Sequence, residues 1–159
     1  MTNSDDATRL SRNLGERSGT SLGRYELVRR IGTGGMAEVY EAVHRGLKKT
    51  VAIKVLLPEV AGNADLRARF LREGEAASRI QHPHVVDVTD VGEQGGVPYL
   101  VMELLEGGEI RKINKGKPDP ESNFYILKSI LKALVYLDSI GIMHRDLKPN
   151  NIILKSQEF

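Results

Sequence analysis

A polar segment between two apolar runs, near the end of the chain, constrains the fold most strongly. The apolar runs are residues 140–143 and 152–154. The segment between them places an imidazole, a guanidinium, a carboxylate, an ammonium and an amide within eight residues: His144-Arg145-Asp146-Leu147-Lys148-Pro149-Asn150-Asn151. Such a pattern predicts a polar loop fixed at both ends by buried anchors. The alternative is a surface turn that carries a solvated salt bridge.

A glycine-rich turn follows the first apolar segment, which begins at Tyr25. The turn reads Gly-Thr-Gly-Gly-Met-Ala at 32–37, and β-branched and aromatic residues alternate after it. A dinucleotide-binding glycine motif lies between a strand and a helix, whereas this alternation predicts a second strand. We therefore expect a hairpin whose backbone N–H groups approach phosphates, with Ala37 where such a motif has its third glycine.

A lysine and a glutamate occupy apolar elements that follow this hairpin. Lys54 interrupts the apolar strand 50–57, either as a solvent-facing edge residue or as a cation directed into a cleft. The helix that begins near Asp65 has apolar residues at helical spacing: Leu66, Phe70, Ala77 and Ile80. Glu73 falls on the same stripe, so burial predicts that it pairs with Lys54. The alternative is that Glu73 turns to water beside Arg69.

The remaining elements are two strands and a long helix. The pattern predicts strands at 85–91 and 98–103, after a helix-breaking turn at 82–84 whose two histidines lack further metal ligands nearby. Asp119 is placed to cap a helix that begins at Pro120, and Gly141 is placed to end it. The apolar face of this helix consists of Phe124, Leu127, Ile130, Leu131, Leu134 and Leu137.

The composition is that of a soluble globular domain. The chain has 159 residues, 40% of them apolar, a net charge of +2 and no cysteine. The small net charge gives no reason to expect nucleic acid as a partner, and the sequence contains no apolar run long enough to span a membrane. Residues 1–22 hold few large apolar side chains and are predicted to form a flexible tail. We expect a cytoplasmic protein.

Together these segments make residues 24–159 resemble a serine/threonine protein kinase. The motifs are Ile-Gly-Thr-Gly-Gly-Met-Ala-Glu-Val-Tyr, Val-Ala-Ile-Lys-Val-Leu, Arg-Phe-Leu-Arg-Glu and His-Arg-Asp-Leu-x-x-x-Asn, and residues 24–109 are especially similar to bacterial eukaryotic-like kinases. The resemblance implies an α+β fold. Residues 23–105 would form an antiparallel N-lobe that includes helix αC. Residues 106–159 would form the end of the hinge and the start of an incomplete helical C-lobe.

The resemblance also implies a binding site for ATP. The glycine-rich turn would cover the phosphates, Lys54 would hold them with Glu73 as its partner, and the backbone of Glu103 and Leu105 would bind the adenine edge. The residues that would contact ATP are Ile31, Gly32, Thr33, Gly34, Gly35, Val39, Ala52, Lys54, Glu73, Met102, Glu103, Leu105, Glu109 and Ile153. Among them Val39, Ala52 and Ile153 would sandwich the adenine, Met102 would lie behind it, and Glu109 would contact the ribose.

The polar loop would carry out phosphoryl transfer to Ser or Thr hydroxyls of a protein substrate. In the family pattern Asp146 orients the attacking hydroxyl, Lys148 neutralises charge on the transferred group, and Asn151 binds Mg²⁺. Lys148 favours serine/threonine over tyrosine substrates. It also argues, with Arg145, against a small-molecule phosphotransferase of related fold.

The sequence departs from the family in two respects. It contains no Asp-Phe-Gly segment, so we expect the 159-residue chain alone to be inactive or nearly so; the alternative function is a non-catalytic nucleotide-binding or regulatory pseudokinase-like module. The composition also changes along the chain: residues 1–109 contain 11 Arg, 3 Lys and 3 Ile, and residues 110–159 contain 2 Arg, 7 Lys and 8 Ile. Either two kinase sequences are joined near Glu109, or the lobes differ by chance.

Overall fold

The computed structural model describes residues 17–110 and 119–155. The described residues form two compact units. We call residues 17–80 and 87–104 the sheet unit, and residues 81–86, 105–110 and 119–155 the helix unit. The sheet unit ends at residue 104, and segment 81–86 belongs to the helix unit. The division into kinase lobes after residue 105 stays a prediction. Most of the predicted tail, and the short connection at 111–118 beside the suggested junction, lie outside the described residues.

The sheet unit is built on six antiparallel strands in the order β1-β2-β3-β4-β6-β5. Their bounds are β1 Ser21–Leu22, β2 Tyr25–Thr33, β3 Ala37–His44, β4 Thr50–Leu56, β5 Val88–Gln94 and β6 Val97–Met102. The β2–β3 hairpin contains the glycine-rich turn, as predicted. The predicted strand 85–91 was placed too early, because the tight turn is made by Gly95 and Gly96, both with positive φ.

One face of the sheet forms the core of this unit. Alternate residues of β3, β4 and β6 point to it, and Tyr40, Ile53 and Val101 have no exposed surface. The sheet curls, so that Tyr25 of β2 packs against Tyr99 of β6, with 6.5 Å between ring centroids. The Tyr25 hydroxyl donates to an Asp90 carboxylate oxygen at 2.9 Å, which ties β2 to β5.

The predicted tail is too long at its C-terminal end. Ser21 and Leu22 form β1 against β2, and Leu22 is only 5% exposed because it joins the core cluster. The amide of Gly19 donates to the carbonyl of Leu27 at 2.7 Å. The Gln94 side-chain amide also donates to the Ser21 carbonyl at 3.3 Å. Contacts with residues distant in sequence therefore order this stretch, although its composition is that of a tail.

Two helices follow β4: α1 spans Pro58–Ala61 and α2 spans Ala64–Ala77. The Asn63 side chain caps α2 by accepting hydrogen bonds from the amides of Asp65 and Leu66 at 3.0 and 3.1 Å. The helix is shorter than predicted and ends before Ile80. Gly74 is the buried residue of α2, and it lies against the Leu100 side chain.

The helix unit contains α3, Pro120–Ser139, and a 3₁₀ turn, Pro149–Asn151. The predicted cap is confirmed, since the Asp119 carboxylate accepts from the amides of Glu121 and Ser122 at 3.2 and 3.1 Å. Gly141, with φ of 73°, follows the end of the helix as expected. No helix within the described ranges has the length and apolar character needed to cross a bilayer.

Candidate active site

The glycine-rich turn is a tight connection at the end of the β2–β3 hairpin. Strand β2 extends to Thr33 and β3 begins at Ala37, and the Gly34 amide donates to the Ala37 carbonyl at 2.9 Å. Three residues, 34–36, therefore lie outside the strands. Met36 at the end of the turn is 50% exposed.

The fold by itself does not explain the glycines of this turn. A Cβ added at Gly35 meets no atom within 4 Å, and one added at Gly32 or Gly34 meets its nearest atom at an ordinary 3.5 Å. None of these three glycines has a positive φ. Neither backbone conformation nor crowding within the protein requires them, which leaves close approach of a ligand to the backbone as a physical reason for glycine.

Several predicted nucleotide-binding residues share the face of the sheet opposite the core. Strand register aligns Gly32 with Val39, and Val39 with Lys54. The same register aligns Ala52 of β4 with Met102 of β6. Because side chains alternate along β4, Ala52 and Lys54 point away from the buried Ile53. The sheet thus gathers the phosphate, lysine and adenine candidates of this unit on one surface.

The predicted ion pair between Lys54 and Glu73 is not present among the described residues. Glu73 instead accepts a hydrogen bond from the Arg69 guanidinium at 2.8 Å, one turn earlier, with 64% of its side chain exposed. The cause is the rotation of α2. Gly74 faces the sheet so closely that an added Cβ would lie 2.1 Å from the Leu100 side chain. Each residue turns a helix by about 100°, so Glu73 points away from that contact.

A partly buried polar network lies next to the glycine-rich turn. Glu38 accepts from the Arg30 guanidinium at 2.6 Å and from the Tyr40 hydroxyl at 2.7 Å. Burial alone would raise the pKa of Glu38, but these two hydrogen bonds together with nearby arginine charge lower the net pKa. Burial, followed by the bond to Glu38, raises the pKa of Tyr40 to about 12. Sequence reasoning missed this network, although Arg30 and Tyr40 stand at matching hairpin positions.

The segment after β6 contains the backbone groups that are predicted to bind the adenine edge. The Glu103 amide donates to the Asp87 carbonyl at 3.0 Å. The Leu105 amide has no hydrogen-bond acceptor within the described part of the chain. In the helix unit Glu109 and Ile153 form an antiparallel bridge, flanked by hydrogen bonds between segments 107–110 and 152–154. This pairing brings the predicted ribose and adenine contacts together.

The polar loop is organised around the Asp146 carboxylate. One carboxylate oxygen accepts from the Lys148 ammonium at 3.0 Å and from the Asn151 side-chain amide at 2.9 Å. The same amide nitrogen also donates to the Asp146 carbonyl, at 2.8 Å. Arg145, just before the aspartate, has a φ of 59°, a left-handed conformation that is unfavourable for a residue other than glycine. The three predicted catalytic residues therefore form one hydrogen-bonded cluster.

The cluster keeps Asp146 ionised and leaves one amide oxygen available. The hydrogen bond from Lys148, then that from Asn151, lowers the pKa of the Asp146 carboxyl group. The Asn151 side-chain nitrogen is already engaged, and its oxygen has no donor among the described residues. The described residues contain no group of three or more His, Cys, Asp or Glu that could hold a metal. The Asn151 side-chain oxygen fits Mg²⁺ as one protein ligand, which Mg²⁺ usually supplements with water and phosphate.

An antiparallel sheet with a glycine-rich hairpin and a clustered Asp-Lys-Asn loop is typical of proteins that transfer phosphoryl groups. The family model of the protein kinase domain matches residues 25–159. The chain belongs to the protein kinase family.

Known proteins agree with this assignment. The chain is 40% identical over 145 residues to the serine/threonine-protein kinase PknH of Mycobacterium bovis, covering 90% of the chain and 24% of PknH. It resembles the solved PknI kinase domain of Mycobacterium tuberculosis with a TM-score of 0.77 and 32% identity, covering 91% of the chain and 59% of that domain. A structure of Rad53 in complex with AMP-PNP matches with a TM-score of 0.73 and 29% identity, over 84% of the chain and 35% of Rad53. The chain thus spans about a quarter of PknH and about three fifths of the PknI domain.

Proposed function

We propose that this chain is the nucleotide-binding and catalytic-loop part of an ATP-dependent kinase that phosphorylates Ser or Thr residues of proteins. The observation that carries the proposal is the cluster of Asp146, Lys148 and Asn151. It is exposed, so the charges are not there to stabilise a core. It combines a base, a cation and an oxygen ligand, which are the groups that phosphoryl transfer requires.

Each group of the cluster has a proposed task. Asp146, whose pKa is lowered by its two hydrogen bonds, accepts the hydrogen bond of a substrate hydroxyl and aligns its oxygen for attack on the γ-phosphorus. Lys148 neutralises negative charge on the transferred phosphoryl group. Asn151, through its side-chain oxygen, contributes one ligand to Mg²⁺, and the ion when bound supplies charge neutralisation at the phosphates. The family uses ATP and Mg²⁺, and Rad53 binds an ATP analogue.

We propose nucleotide contacts in each unit, on the outer face of the sheet in the sheet unit and at the Glu109–Ile153 bridge in the helix unit. We propose that Gly32, Gly34 and Gly35 leave room for phosphates and that Lys54 binds them. The adenine contacts are Val39, Ala52, Met102 and Ile153, with the Glu103 carbonyl and the Leu105 amide at its edge. Glu109 contacts the ribose. Ile31 and Thr33 flank the phosphates.

The proposal that the substrate is a protein phosphorylated at Ser or Thr rests on Lys148 and on relatives that are named serine/threonine-protein kinases. A cytoplasmic location and the absence of nucleic-acid partners stay predictions of the sequence.

ATP binding to the 159-residue chain tests the nucleotide part, by calorimetry with and without Mg²⁺. Lys54→Met should weaken binding by roughly ten- to a hundredfold, since it removes a hydrogen-bonding charge from the phosphates. The matched control is Lys49→Met, an exposed lysine just before the same strand, which should change the affinity less than about twofold. Glu73→Gln should also have little effect while Glu73 stays paired with Arg69. Equal behaviour of the two lysine variants would overturn the proposed site.

A non-catalytic nucleotide-binding module is the second candidate function. It is favoured by the Arg69–Glu73 ion pair, which stands in place of the Lys54–Glu73 pair among the described residues. This candidate expects ATP binding that is independent of Mg²⁺ and unchanged in Asn151→Ala. The kinase proposal expects tighter binding with Mg²⁺ and loss of that gain in Asn151→Ala. In both cases we expect little phosphotransfer by this chain alone, and clear Lys54-dependent transfer would contradict that expectation.

A further inference from the structure

The turn between β3 and β4 carries a cluster of cations around an exposed leucine, at the end of β3 opposite the glycine-rich turn. Residues 44–49 read His-Arg-Gly-Leu-Lys-Lys and contain no carboxylate. Every residue from 45 to 50 is exposed, and Leu47 is exposed to 73%. Arg24 joins the cluster, because its carbonyl accepts from the Arg45 amide at 2.9 Å. We call Arg24, Arg45, Leu47, Lys48 and Lys49 the basic tip.

The basic tip has a defined conformation. The Nδ1 atom of His44 accepts hydrogen bonds from the amides of Gly46 and Leu47 at 3.2 and 3.0 Å. The Lys48 amide donates to the His44 carbonyl at 2.8 Å, and Lys48 itself has a φ of 56°. The Arg45 guanidinium donates to the Gly23 carbonyl at 2.8 Å. Leu47 therefore stays at the end of the turn, with cations on both sides of it in the chain.

The cations of the basic tip differ from the other arginines of the sheet unit. Arg29 pairs with Glu41 at 2.5 Å and Arg30 pairs with Glu38 at 2.6 Å, so those charges are neutralised within the sheet. For the four cations of the tip, the described part of the chain offers no ion-pair partner. Glu26, aligned with Val43, is the remaining carboxylate next to the tip in strand register. One carboxylate against four cations leaves the tip strongly positive.

Shape and polarity together indicate the partner. Sites for small ligands are concave, whereas this surface is the projecting end of a hairpin. A soluble polyanion would be attracted by the cations but would gain nothing from an exposed leucine. An anionic bilayer offers both complements, since its headgroups attract Lys and Arg and its acyl layer accepts an apolar side chain. We propose that the basic tip docks the protein on anionic phospholipid membranes, with Leu47 inserted below the headgroups.

Vesicle co-sedimentation of the full 159-residue chain tests the proposal. The probes are phosphatidylcholine vesicles with and without about one third phosphatidylglycerol. Binding should require phosphatidylglycerol and weaken as salt rises. Replacing Arg45, Lys48 and Lys49 by Gln should reduce the partition coefficient on the order of a hundredfold, since each cation near an anionic surface contributes about fivefold. Leu47→Ser should reduce it by about tenfold, because an inserted leucine is lost.

The matched control replaces Arg69, Arg72 and Arg79, three exposed cations elsewhere in the sheet unit, by Gln. It has the same net charge as the tip variant and should retain binding within about threefold. Equal loss in both triple variants would overturn the proposal in favour of a general charge effect. Failure of the wild-type chain to bind the anionic vesicles would overturn it as well. Binding of soluble heparin that depends on the three cations but not on Leu47, without vesicle binding, would assign the tip to a soluble polyanion instead. All replaced side chains are exposed, and circular dichroism verifies that each variant is folded.

Discussion

The sheet unit and the helix unit hold their functional residues by different means. Of the 17 buried hydrophobic residues in the described ranges, 15 lie in the sheet unit and only Ala133 and Leu137 lie in the helix unit. Of the 13 large hydrophobic side chains described as exposed, nine lie in the helix unit, including Phe124 at 68% and Val135 at 70%. One unit has a closed core, and the other leaves much of its apolar helix surface uncovered.

This difference in packing determines how each candidate site is positioned. Lys54 and Ala52 alternate with fully buried neighbours, so core packing fixes their direction. Asp146 has no such support and is oriented by hydrogen bonds within its own loop. The helix unit does include one long-range stacking contact, between His82 and Tyr136 with ring centroids 5.0 Å apart. The sheet unit should therefore respond to mutation as a packed core, and the helix unit as a set of local interactions.

The largest expected effect comes from removing core volume. Ile53→Ala, at a position with no exposure, should cost about 2–5 kcal/mol of unfolding free energy in urea titrations, because it leaves a cavity. Leu131→Ala, at a position 52% exposed in α3, should change stability by less than about 0.5 kcal/mol. Similar costs for the two variants would show that the apolar face of α3 is covered in solution, and would remove the contrast between the units.

A pair of glycine variants separates packing from ligand approach within the sheet unit. A Cβ at Gly92 would lie 2.5 Å from the Tyr99 hydroxyl and 2.6 Å from its ring, so Gly92→Ala should destabilise the fold by about 1–3 kcal/mol. Gly35→Ala meets no atom within 4 Å and should leave thermal stability nearly unchanged while it weakens ATP binding. A stable Gly92→Ala variant, or full ATP affinity in Gly35→Ala, would contradict these assignments.

Alkaline pH should destabilise the sheet unit through its tyrosines. Burial, followed by the hydrogen bond to Asp90, raises the pKa of Tyr25 to about 12, and Tyr40 likewise has a pKa of about 12. An unfolded tyrosine titrates near pH 10. Between about pH 10 and 12 the unfolded chain loses protons that the folded chain keeps, so stability falls as pH rises. Urea titrations at about pH 8 and 11 measure this loss of unfolding free energy, and Tyr25→Phe should make the loss smaller. A urea midpoint that is the same at both pH values would refute the prediction.

The smallest expected effect is local to the polar loop. Lys148→Met removes the main hydrogen bond to the Asp146 carboxylate, so the pKa of Asp146 should rise towards its ordinary value. Carbon-detected NMR titration of the side-chain carboxyl group measures it. Because both groups are exposed, added salt should shrink the difference, and global stability should be unchanged. A pKa that does not respond to the variant would mean that Asn151 alone fixes the carboxylate.

Local signals in the sequence determined much of this protein. The glycine-rich hairpin, the Asp119 cap, the Gly141 stop and the order of polar groups in the loop are set by residues that are close in the chain, so short-range chemistry was enough to predict them. The same motifs indicated the kinase family, which the comparisons confirm. The roles of the individual site residues stay predictions.

The rotation of α2 and the contacts across the sheet depend on tertiary packing and could not be predicted from local sequence signals. The apolar series on α2 placed Glu73 inward, but Gly74 packs on Leu100 and turns Glu73 towards Arg69. The periodicity of apolar side chains does not identify a glycine as a core-facing residue. Close packing of a helix on a sheet, however, favours glycine at the contact because it has no side chain. The order of residues 17–22 and the Tyr25–Asp90 bond depend in the same way on partners distant in sequence. Such contacts are selected by the shape of the completed core, which local patterns do not encode.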